Sequence, residues 1–396
     1  MSAIATATAN QMELNFMGFN LRIDWPLLLL VLTIVTLGLV MISSASVGVS
    51  ERLSGDPTHY FMRQLIYVAA GLGFGFVTWT IPTKVVSQLG PLLLLIAALA
   101  LTLIFIPGIG KTVNGSTRWI AMGPINLQVS EVVKLAFIIY LAEYLVRRGE
   151  MVRESIHCFL KPMLLVAGFS ILLLLEPDFG ATVVLFTTVM GMFFLYGVRL
   201  WIFAGMVAIA GSGLAILAIS SPYRMERLTA FLNPWADPFN SGFQLTQALI
   251  AFGRGEWFGV GLGGSVQKLF YLPEAHTDFV YSVVAEELGM LGAGVVVLLF
   301  ALLVGRIFLI GQRAERNGMI FGAYLSYGVA IWIALQAFIN MGVNMGLLPT
   351  KGLTLPLMSY GGSSVIVMLV ALALVLRVAS ELPQYGVSVS KGGGAK

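Results

Sequence analysis

The sequence predicts an all-α, polytopic integral membrane protein with about ten transmembrane helices. Of its 396 residues, 58% are hydrophobic and only 11% are charged, and the mean hydropathy is +0.90. Apolar runs of roughly 18 to 25 residues recur along the chain, which is the length that an α-helix needs to cross a hydrocarbon core of about 30 Å. These observations exclude a water-soluble globular fold.

Ten apolar runs are the candidate spans. In order along the chain they cover residues 26–45, 62–81, 86–106, 129–146, 160–175, 179–197, 199–219, 281–306, 319–342 and 357–379. An even number of spans places both termini on the same side of the membrane. The distribution of Lys and Arg then indicates which side that is, because short translocated loops are poor in these residues.

The inner side carries thirteen of the 23 Lys and Arg residues if the termini are cytoplasmic, and the short outer loops then carry five. We therefore predict cytoplasmic termini and one membrane domain over residues 23–380, with a large extracytoplasmic loop over residues 220–280 between the seventh and eighth spans. Residues 1–22 form a cytoplasmic tail that we expect to be disordered, and residues 381–396 form a second cytoplasmic tail. Residues 1–20 lack the pattern of a signal peptide, so the first span is expected to be an uncleaved anchor.

Charge and cysteine content exclude other classes of function. The formal charge of +4 and the pI of about 9.1 agree with the orientation rule and with anionic lipid headgroups. No basic stripe interleaved with aromatic residues is present, so nucleic acid is not an expected partner. Cys158 is the only cysteine, so neither an internal disulfide nor a cysteine metal site can form.

The fourth span carries two ionisable residues, Glu131 and Lys134. Their i, i+3 spacing places both on one face of a helix, and a lysine in hydrocarbon requires a carboxylate partner or water. Two interpretations stay open at this point. The pair is either a structural ion pair that stabilises the bundle or part of a cavity that binds a charged headgroup.

Two outer turns carry further polar groups. In Glu176-Pro177-Asp178, the proline sets a tight turn and the aspartate caps the following helix, which explains the motif without a functional role. Arg118 and Trp119 lie earlier in the chain, in the outer loop between the third and fourth spans, where the tryptophan can anchor at the interface and the arginine can reach a lipid phosphate. Interfacial anchoring is the simpler interpretation of that pair.

The segment Lys268–Gly289 concentrates ionisable groups just before the eighth span; these are Glu274, His276, Asp278, Glu286 and Glu287. One interpretation makes Thr277 or Asp278 the N-cap of the span. His276 and Asp278 have metal-ligand residue types but lack a third ligand, so no metal site is predicted. The two glutamates are candidates for ion pairs with cations of the outer loop or the bundle. The preceding glycine-rich run 259–264 has no phosphate-loop spacing and is expected to be a flexible loop.

The last outer segment, residues 344–364, combines prolines, glycines, hydroxyl residues and Lys351. Prolines and glycines interrupt a helix, and interrupted backbone at membrane depth is tolerated only where it is buried in protein or lines a wet cavity. Ser359 is among the hydroxyl groups of this segment. The sequence therefore predicts a polar groove that enters from the outer face.

Over nearly its whole length the chain resembles the SEDS family (shape, elongation, division and sporulation). The motifs that carry the resemblance are GSTRWI at 115–120, SEVVKLA at 130–136, EPDFGA at 176–181, QALIAFG at 247–253, PEAHTDF at 273–279 and LPTKGLTLPLMSYGGSS at 348–364. Residues 350–354, Thr-Lys-Gly-Leu-Thr, match the division type better than the elongation type.

The resemblance implies a peptidoglycan glycosyltransferase of the bacterial cytoplasmic (inner) membrane. Such an enzyme polymerises lipid II at the outer face for septal cell-wall synthesis, and the family's essential aspartate falls on Asp278. It further implies a class B penicillin-binding transpeptidase of the FtsI type as a partner, and division regulators such as the FtsQ-FtsL-FtsB complex.

An α-linked glycosyl pyrophosphate donor that gives a β-1,4 product reacts with inversion, so a single general base suffices, and Asp278 is the candidate. Undecaprenyl pyrophosphate leaves as an anion, which Arg, Lys or a divalent cation such as Mg²⁺ or Mn²⁺ can stabilise. No cofactor beyond such a cation is expected. Candidate pyrophosphate contacts are Arg118, Arg227 and Lys351; Glu131 and Lys134 are candidate organisers of the cavity, and His276 and Ser359 are further candidate substrate contacts.

Two other functions stay open from the sequence. Ten helices with intramembrane charge also suit a lipid II flippase, although a flippase needs an inward-facing polar path and the ionisable residues are concentrated outside. A noncatalytic scaffold of the division complex would predict that Asp278 tolerates substitution.

Overall fold

The computed structural model describes residues 13–16, 19–113, 116–122, 125–219, 225, 229–350 and 352–383. The helices that build the fold are, in chain order, α1 (Trp25–Ala45), α2 (Val47–Ser54), α3 (His59–Thr80), α4 (Thr83–Leu103), α5 (Val129–Glu154), α6 (Ile156–Leu175), α7 (Phe179–Tyr196), α8 (Leu200–Ile219), α9 (Phe243–Gly255), α10 (Val280–Arg316), α11 (Ile320–Asn344) and α12 (Ser363–Glu381). All of them except the short α2 and α9 coincide with the ten predicted spans. The polytopic helical fold is confirmed.

Eight of the described helices are long and apolar enough to cross a membrane. The two predicted spans outside this set are α5 and α8. In α5 the apolar run is interrupted by Glu131, Lys134 and Glu143, and each of these charges has a partner in its own helix. Lys134 pairs with Glu131, and Glu143 pairs with Arg147. Pairing lowers the cost of charged groups inside a bundle, which explains why α5 is a central helix despite its charges. Helix α8 contains no charged residue from Leu200 to Ile219, as expected for a membrane span.

The helices differ from the predicted spans mainly at three ends. Helix α5 continues to Glu154, beyond the predicted end at residue 146. Helix α10 continues to Arg316, beyond the predicted end at residue 306, and α12 begins at Ser363 instead of residue 357. Residues 357–362 belong to the outer loop because the glycines at 361 and 362 precede the first helical turn, and Gly362 has a positive φ of 51°. Hydropathy alone does not detect this loop, since Leu357 and Met358 are apolar and buried.

Helix α10 is interrupted at Gly289, which has φ 68° and ψ −170°. The outer loop replaces the helical hydrogen bonds that the interruption removes. The N–H of Val260 donates to the carbonyl of Glu286 at 3.0 Å, and the N–H of Met290 donates to the carbonyl of Glu256 at 2.8 Å. Only glycine adopts this backbone conformation readily, so the interruption depends on Gly289 and fixes the loop against α10.

Two buried glutamates hold the same loop through their side chains. Glu286 pairs with Arg254 at 3.2 Å and accepts a hydrogen bond from Ser265 Oγ. Glu287 pairs with Lys268 at 2.8 Å, and both carboxylates are fully buried. The expected pairing of these glutamates with outer-loop cations is confirmed. The expectation of a flexible loop at 259–264 is wrong, because Val260 and Gly261 of this segment donate to the carbonyls of Glu286 and Glu287 on α10.

Short strands occur in two places where the sequence predicts none. In the outer loop, β3 (Gly110–Val113), β4 (Ser116–Met122) and β5 (Ile125–Gln128) form an antiparallel sheet in the order β3-β4-β5. In the segment predicted as a disordered tail, β1 (Glu13–Phe16) pairs with β2 (Phe19–Arg22). The carbonyl of Arg22 accepts a hydrogen bond from Ser380 Oγ at 2.6 Å, which ties the end of this hairpin to α12. These strands, made of short runs of Thr, Val, Ile and Trp or of Leu, Asn and Phe, are too brief for a hydropathy-based prediction.

Burial separates inner from outer helices in the bundle. The apolar windows of α11 and α12 are 72% and 83% buried, whereas those of α3 and α4 are each 28% buried. Helices α11 and α12 therefore form the centre of the bundle, while α3 and α4 expose most of their surface. Because α11 ends and α7 and α10 begin on the predicted outer side, the polar side chains of α11 near Asn344 lie next to the outer loops.

Candidate active site

One face of α11 carries polar side chains at four-residue intervals within an otherwise apolar helix. These are Trp332, Gln336, Asn340 and Asn344, and we refer to them as the α11 polar face. Residues four apart lie one above the other on a helix. All four are buried, so their donors and acceptors are expected to be paired inside the protein.

Asn340 and Asn344 fix the backbone of Asp278. The side-chain amides of Asn340 and Asn344 both donate to the carbonyl of Asp278, at 2.8 Å and 2.9 Å. Asn344 also accepts from the backbone N–H of Ser282 at 3.0 Å and from Ser282 Oγ at 2.7 Å. A side chain of α11 thus accepts from a backbone donor in the first turn of α10, which also donates to the carbonyl of Phe279 at 3.0 Å.

The interpretation of Thr277 or Asp278 as the N-cap of α10 is wrong. Phe279 occupies the N-cap position, and no side chain of that position makes a capping hydrogen bond. Thr277 instead bonds to the carboxylate of Glu274 at 2.8 Å. Because Asn344 takes over a capping contact, the carboxylate of Asp278 is not used for capping and is partly exposed.

Gly352 lies directly against that carboxylate. A Cβ atom at this position would lie 3.1 Å from Oδ2 of Asp278. A side chain here would therefore occupy space beside the carboxylate.

The Glu131–Lys134 pair meets the same helix one turn further into the membrane. Lys134 Nζ lies 2.7 Å from Glu131 Oε1 and 3.1 Å from Gln336 Oε1, and it also lies 5.1 Å from the ring centroid of Trp332. Gln336 in turn donates to the carbonyl of Thr354 at 3.2 Å. The ion pair is thus anchored to the α11 polar face and, through Gln336, to the last outer loop.

The two networks converge on consecutive carbonyls of that loop. Asn340 donates to the carbonyl of Leu353 at 2.6 Å, while Gln336 donates to that of Thr354. The α11 polar face therefore connects Asp278, the Glu131–Lys134 pair and the loop after α11 in one hydrogen-bonded assembly.

His276 lies in an aromatic cluster beside Asp278. Its ring centroid is 4.9 Å from that of Tyr60 and 5.8 Å from that of Tyr360. Its backbone carbonyl accepts from the N–H of Tyr360 at 2.9 Å. Burial lowers the pKa of His276, while the carboxylate of Glu274 acts in the opposite direction. The imidazole is therefore a neutral group at physiological pH, and its Nδ1 atom is buried with no hydrogen-bond partner.

Arg118 is bound to the turn between α6 and α7. Its guanidinium donates to the carbonyls of Glu176 and Pro177, at 3.3 Å and 2.6 Å, and lies 3.9 Å from the carboxylate of Asp178. Asp178 accepts from the N–H of Ala181 at 3.2 Å, which confirms the predicted helix cap. The carbonyls and the carboxylate of this turn thus fix the position of the Arg118 guanidinium.

Glu176 is the most perturbed carboxyl group of this region. It is 1% exposed, and both of its carboxyl oxygens are buried without a hydrogen-bond partner. Burial raises the pKa of Glu176 to about 8, with a further increase from Asp178 and an opposing effect of Arg118. The group is therefore largely protonated at neutral pH.

The remaining predicted site residues are placed as follows. Ser359 is buried, and its Oγ accepts from the N–H of Leu355 at 2.8 Å, so its hydroxyl bonds within its own loop. The carbonyl of Ser359 accepts from the side-chain amide of Gln64 at 3.2 Å. Arg227 and Lys351, the other two candidate pyrophosphate contacts, lie outside the described residues.

Comparisons with known proteins identify the family. The model of the FtsW/RodA/SpoVE family, described as cell cycle protein, matches residues 24–384. The chain is 58% identical over 365 residues to the probable peptidoglycan glycosyltransferase FtsW of Thioalkalivibrio sulfidiphilus, covering 92% of this chain and 91% of that protein. It is 60% identical over 345 residues to the protein of the same name from Nitrosococcus halophilus, covering 87% of this chain and 89% of that one.

The fold has a solved counterpart. A chain from a peptidoglycan synthase complex that coordinates polymerization and crosslinking superposes with a TM-score of 0.76 at 31% identity, covering 92% of this chain and 99% of that chain. The protein belongs to the FtsW/RodA/SpoVE family. The resemblance stated from the sequence motifs is confirmed.

Four residues that position the site were not recognised from the sequence. Gln336, Asn340 and Ser282 fell within predicted apolar spans, and Asn344 was the first residue of the predicted outer segment. The detectable signal was present, because amide side chains at a spacing of four residues within a span line up on one helical face. Polar groups inside a membrane helix require partners, so this spacing alone indicates a buried polar network.

The described side chains do not form a metal site by themselves. Among the residues that the structure describes, no group of three or more His, Cys, Asp and Glu side chains could hold a metal ion. A Mg²⁺ ion is commonly held by one or two carboxylates together with substrate phosphates. Among the described residues, the side chains of the site do not by themselves provide a complete set of ligands for Mg²⁺ or Mn²⁺.

Proposed function

We propose that this protein is a peptidoglycan glycosyltransferase that polymerises lipid II at the outer face of the cytoplasmic membrane. The observation that carries the proposal is the arrangement of Asp278. Two asparagines of α11 hold its backbone, while its carboxylate takes no part in capping and stays partly exposed at the outer end of the bundle. The family and the names of its relatives support the same activity.

The reaction requires one base at this position. The Asp278 carboxylate accepts the proton of the acceptor 4-hydroxyl as its oxygen attacks the anomeric carbon of the donor. The bond between that carbon and the pyrophosphate oxygen breaks, and undecaprenyl pyrophosphate leaves with the bonding electron pair. Attack opposite to the leaving group converts the α-linked donor into a β-1,4 product.

The leaving pyrophosphate requires positive charge. We assign Arg118, Arg227 and Lys351 as its candidate contacts, because cationic groups stabilise charge that develops on a departing phosphate. Arg118 is supported by its fixed position on the turn before α7. Glu131 and Lys134 act as organisers: they bind the α11 polar face that also fixes Asp278.

The proposed setting is the division septum. A class B penicillin-binding transpeptidase of the FtsI type would crosslink the glycan that this enzyme makes, and the FtsQ-FtsL-FtsB complex would regulate the pair. The likeness to a chain of a complex that couples polymerization with crosslinking supports the transpeptidase partner.

The flippase alternative requires a polar path through the inner half of the bundle. Lys134, the buried cation of α5, lies in the second turn from the outer end of that helix and is bound by Glu131 and Gln336. Lys134 therefore belongs to the site at the outer end of the bundle. Its contacts with Glu131 and Gln336 do not support a polar path through the inner half.

The test is glycan-chain formation from purified lipid II by the protein with its cognate transpeptidase. Asp278→Asn keeps the size of the side chain and removes the base; Glu274→Gln, an exposed carboxylate on the same segment, is the matched control. We expect polymer from the wild type and the control but not from Asp278→Asn. Polymer from all three proteins would assign the base elsewhere. No polymer from any of them, with folded protein and active partner, would contradict the polymerase function.

A further inference from the structure

An apolar cavity of about 190 Å³ lies beside the site and is lined by Gly180 and Val183 of α7, Ile339 of α11, and Leu348, Pro349 and Leu353 of the loop after α11. We call it the α7–α11 groove. The sequence predicts a polar groove at this loop, but every residue that lines this cavity is apolar. The groove therefore suits hydrocarbon better than a sugar or phosphate.

The walls of the groove are tightly packed. A Cβ atom on Gly180 would lie 2.9 Å from the side chain of Leu353, and one on Gly342 would lie 3.0 Å from that of Leu348. Each loop leucine thus rests on a helical glycine, at a distance that a larger residue would not permit. The groove is a formed feature of the packing between two helices and the loop.

The groove lies at the outer end of the membrane domain. Val183 is four residues from the start of α7 and Ile339 is five residues from the end of α11, which places both about 6–8 Å below the helix ends. Phe338 and Leu347, next in sequence to two lining residues, are each 63% exposed. Among the lining residues themselves, Val183, Ile339, Leu348 and Pro349 are partly exposed. At this depth of a membrane-spanning bundle exposed apolar side chains face lipid, so the groove opens toward the hydrocarbon of the outer leaflet.

The groove shares a wall with the catalytic assembly. Asn340 follows Ile339 on α11 and donates both to the carbonyl of Leu353, a lining residue, and to that of Asp278. A group that occupies the groove therefore lies one hydrogen-bonded residue away from the proposed base. Lys351, a candidate pyrophosphate contact, stands between Pro349 and Leu353 in the sequence.

We propose that the α7–α11 groove binds the polyprenyl chain of the lipid-linked substrate next to its pyrophosphate. The proposal rests on the proposed polymerase function and adds a subsite to it. A dry cavity of about 150 Å³ lined by Leu, Ile and Phe accommodates benzene, so the groove has room for about one isoprene unit. The remainder of the chain stays in the outer leaflet, which the groove faces.

In this proposal the loop after α11 both binds the polyprenyl chain and positions the pyrophosphate. Its leucines hold the first part of the chain, and its backbone is fixed by Gln336 and Asn340 of α11. Binding of the chain thus places the pyrophosphate at the loop whose position is coupled to Asp278. Binding energy from a remote, non-reacting part of the substrate then serves to orient the reacting centre.

The first test narrows the groove from its two sides. Val183→Trp and Ile339→Trp place an indole in it from α7 and from α11, and Phe338→Trp, an exposed neighbour on α11, is the matched control. Each protein is assayed with undecaprenyl lipid II and with an analogue that carries the same saccharide and pyrophosphate but a methyl group in place of the polyprenyl chain. We expect KM for the undecaprenyl substrate to rise about tenfold in both groove variants and to stay within about twofold of wild type in the control. KM for the methyl analogue, which has no isoprene unit to place in the groove, should change less than that.

The outcomes are distinguishable. Equal kinetics of groove variants and control would overturn the subsite, and so would an equal loss with both substrates, since that result assigns the groove a structural role. A wild type without polymerase activity contradicts the proposed function instead, and the subsite is then tested by binding alone.

The binding test uses wild-type protein and lipid II with a photoreactive diazirine in the isoprene unit nearest the pyrophosphate. We expect labelled peptides to contain Val183, Ile339 or residues 348–353, and unlabelled undecaprenyl pyrophosphate to compete. Labelling of other helices only, or labelling of these peptides by a diazirine phospholipid that undecaprenyl pyrophosphate does not displace, would overturn the proposal. This result does not depend on turnover or on the folding of any variant.

Discussion

The side-chain amide of Asn340 donates to the backbone carbonyl of Asp278 at 2.8 Å. The contact joins the middle of the bundle to the residue proposed as the base, because Asn340 is 2% exposed whereas Asp278 is partly exposed. It acts on the backbone of Asp278 and does not involve its carboxylate. Asn340 is therefore a positioning residue, and its removal should affect turnover more than substrate binding.

Asn340→Ala is expected to lower kcat for polymerisation by about 10- to 100-fold, because a displacement of about 1 Å at a reacting group can cost up to about a hundredfold. The loss of a buried donor should also lower stability by about 1–3 kcal/mol. Steady-state kinetics with lipid II, together with thermal unfolding in detergent, measure the two effects separately.

Ser326→Ala is the control for that experiment. Ser326 is buried on the same helix, toward its inner end, and its hydroxyl donates to the carbonyl of Gly322 at 2.8 Å. This variant should lose a similar contact without a change in kcat. The positioning role of Asn340 is wrong if both variants lose activity only in proportion to their loss of stability.

The ion pair of α5 allows folding and activity to be separated. Lys134→Met should lower the free energy of unfolding by about 3–5 kcal/mol, because it leaves the Glu131 carboxylate buried without its cation. The double variant Glu131→Gln, Lys134→Met removes that unpaired charge and should recover much of the stability. Thermal unfolding of the single and double variants measures this recovery.

Polymerase activity of the double variant then tests the role of the pair as an organiser. Lys134 also donates to Gln336, which bonds to the loop carbonyl of Thr354. If this contact positions the loop, the double variant should be stable but at least about tenfold less active. A stable double variant with wild-type activity would show that the pair serves folding alone.

The positions of the spans could be predicted from the sequence because a bilayer imposes one strong requirement, a long apolar run. Asp278 was found from its charge and its motif. The four-residue spacing of the α11 polar face is visible in the sequence, but the groups that Asn340 and Gln336 bind are not. Those partners lie far away in sequence, on the loops and on α5, and sequence spacing carries no information about such contacts.

The interruption of α10 shows a different reason for failure. Gly289 lies among apolar residues that continue the helical pattern, and its conformation is stabilised by hydrogen bonds from residues 256–261. A local rule cannot detect a helix interruption that depends on a distant loop. Only the glutamates at 286 and 287 could be recognised from the sequence as contacts between α10 and the loop, and their ion pairs were predicted correctly.

Glu176 makes the stability of the protein depend on pH. Its folded-state pKa of about 8 lies above the ordinary value of 4.5 for a glutamate, so the folded state holds a proton that the unfolded state releases between these values. Stability from this group is present at low pH and is lost as the pH rises through that interval. Glu176→Gln keeps the neutral form and should therefore raise the melting temperature at pH 9 relative to wild type, with little difference at pH 5.

The measurement is thermal unfolding of the two proteins in detergent from pH 5 to pH 9. Glu51→Gln, which changes an exposed carboxylate of α2, is the control and should leave the pH dependence of the wild type unchanged. A constant difference between wild type and Glu176→Gln across this range would contradict the assignment of a proton to Glu176.

The interruption of α10 is tested by two glycine substitutions on the same helix. Gly289 has φ 68°, and a Cβ atom there would collide with the backbone N atom of Gly259 and the carbonyl of Trp257. Gly289→Ala should therefore lower the free energy of unfolding by at least about 1–3 kcal/mol from the backbone conformation alone and should displace the 256–261 segment.

The control is Gly294→Ala, five residues further along α10. A Cβ atom there meets nothing within 4 Å, so this variant should be neutral or stabilising by up to about 1 kcal/mol. Thermal unfolding gives the stabilities, and protease accessibility of the outer loop reports its displacement. Asp278 immediately precedes the first half of α10, residues 280–288, so a displacement of this half also displaces Asp278. Gly289→Ala should therefore lower polymerase activity, whereas Gly294→Ala should not. Equal behaviour of the two variants would mean that α10 tolerates a continuous helix and that the loop is held by the ion pairs of Glu286 and Glu287 alone.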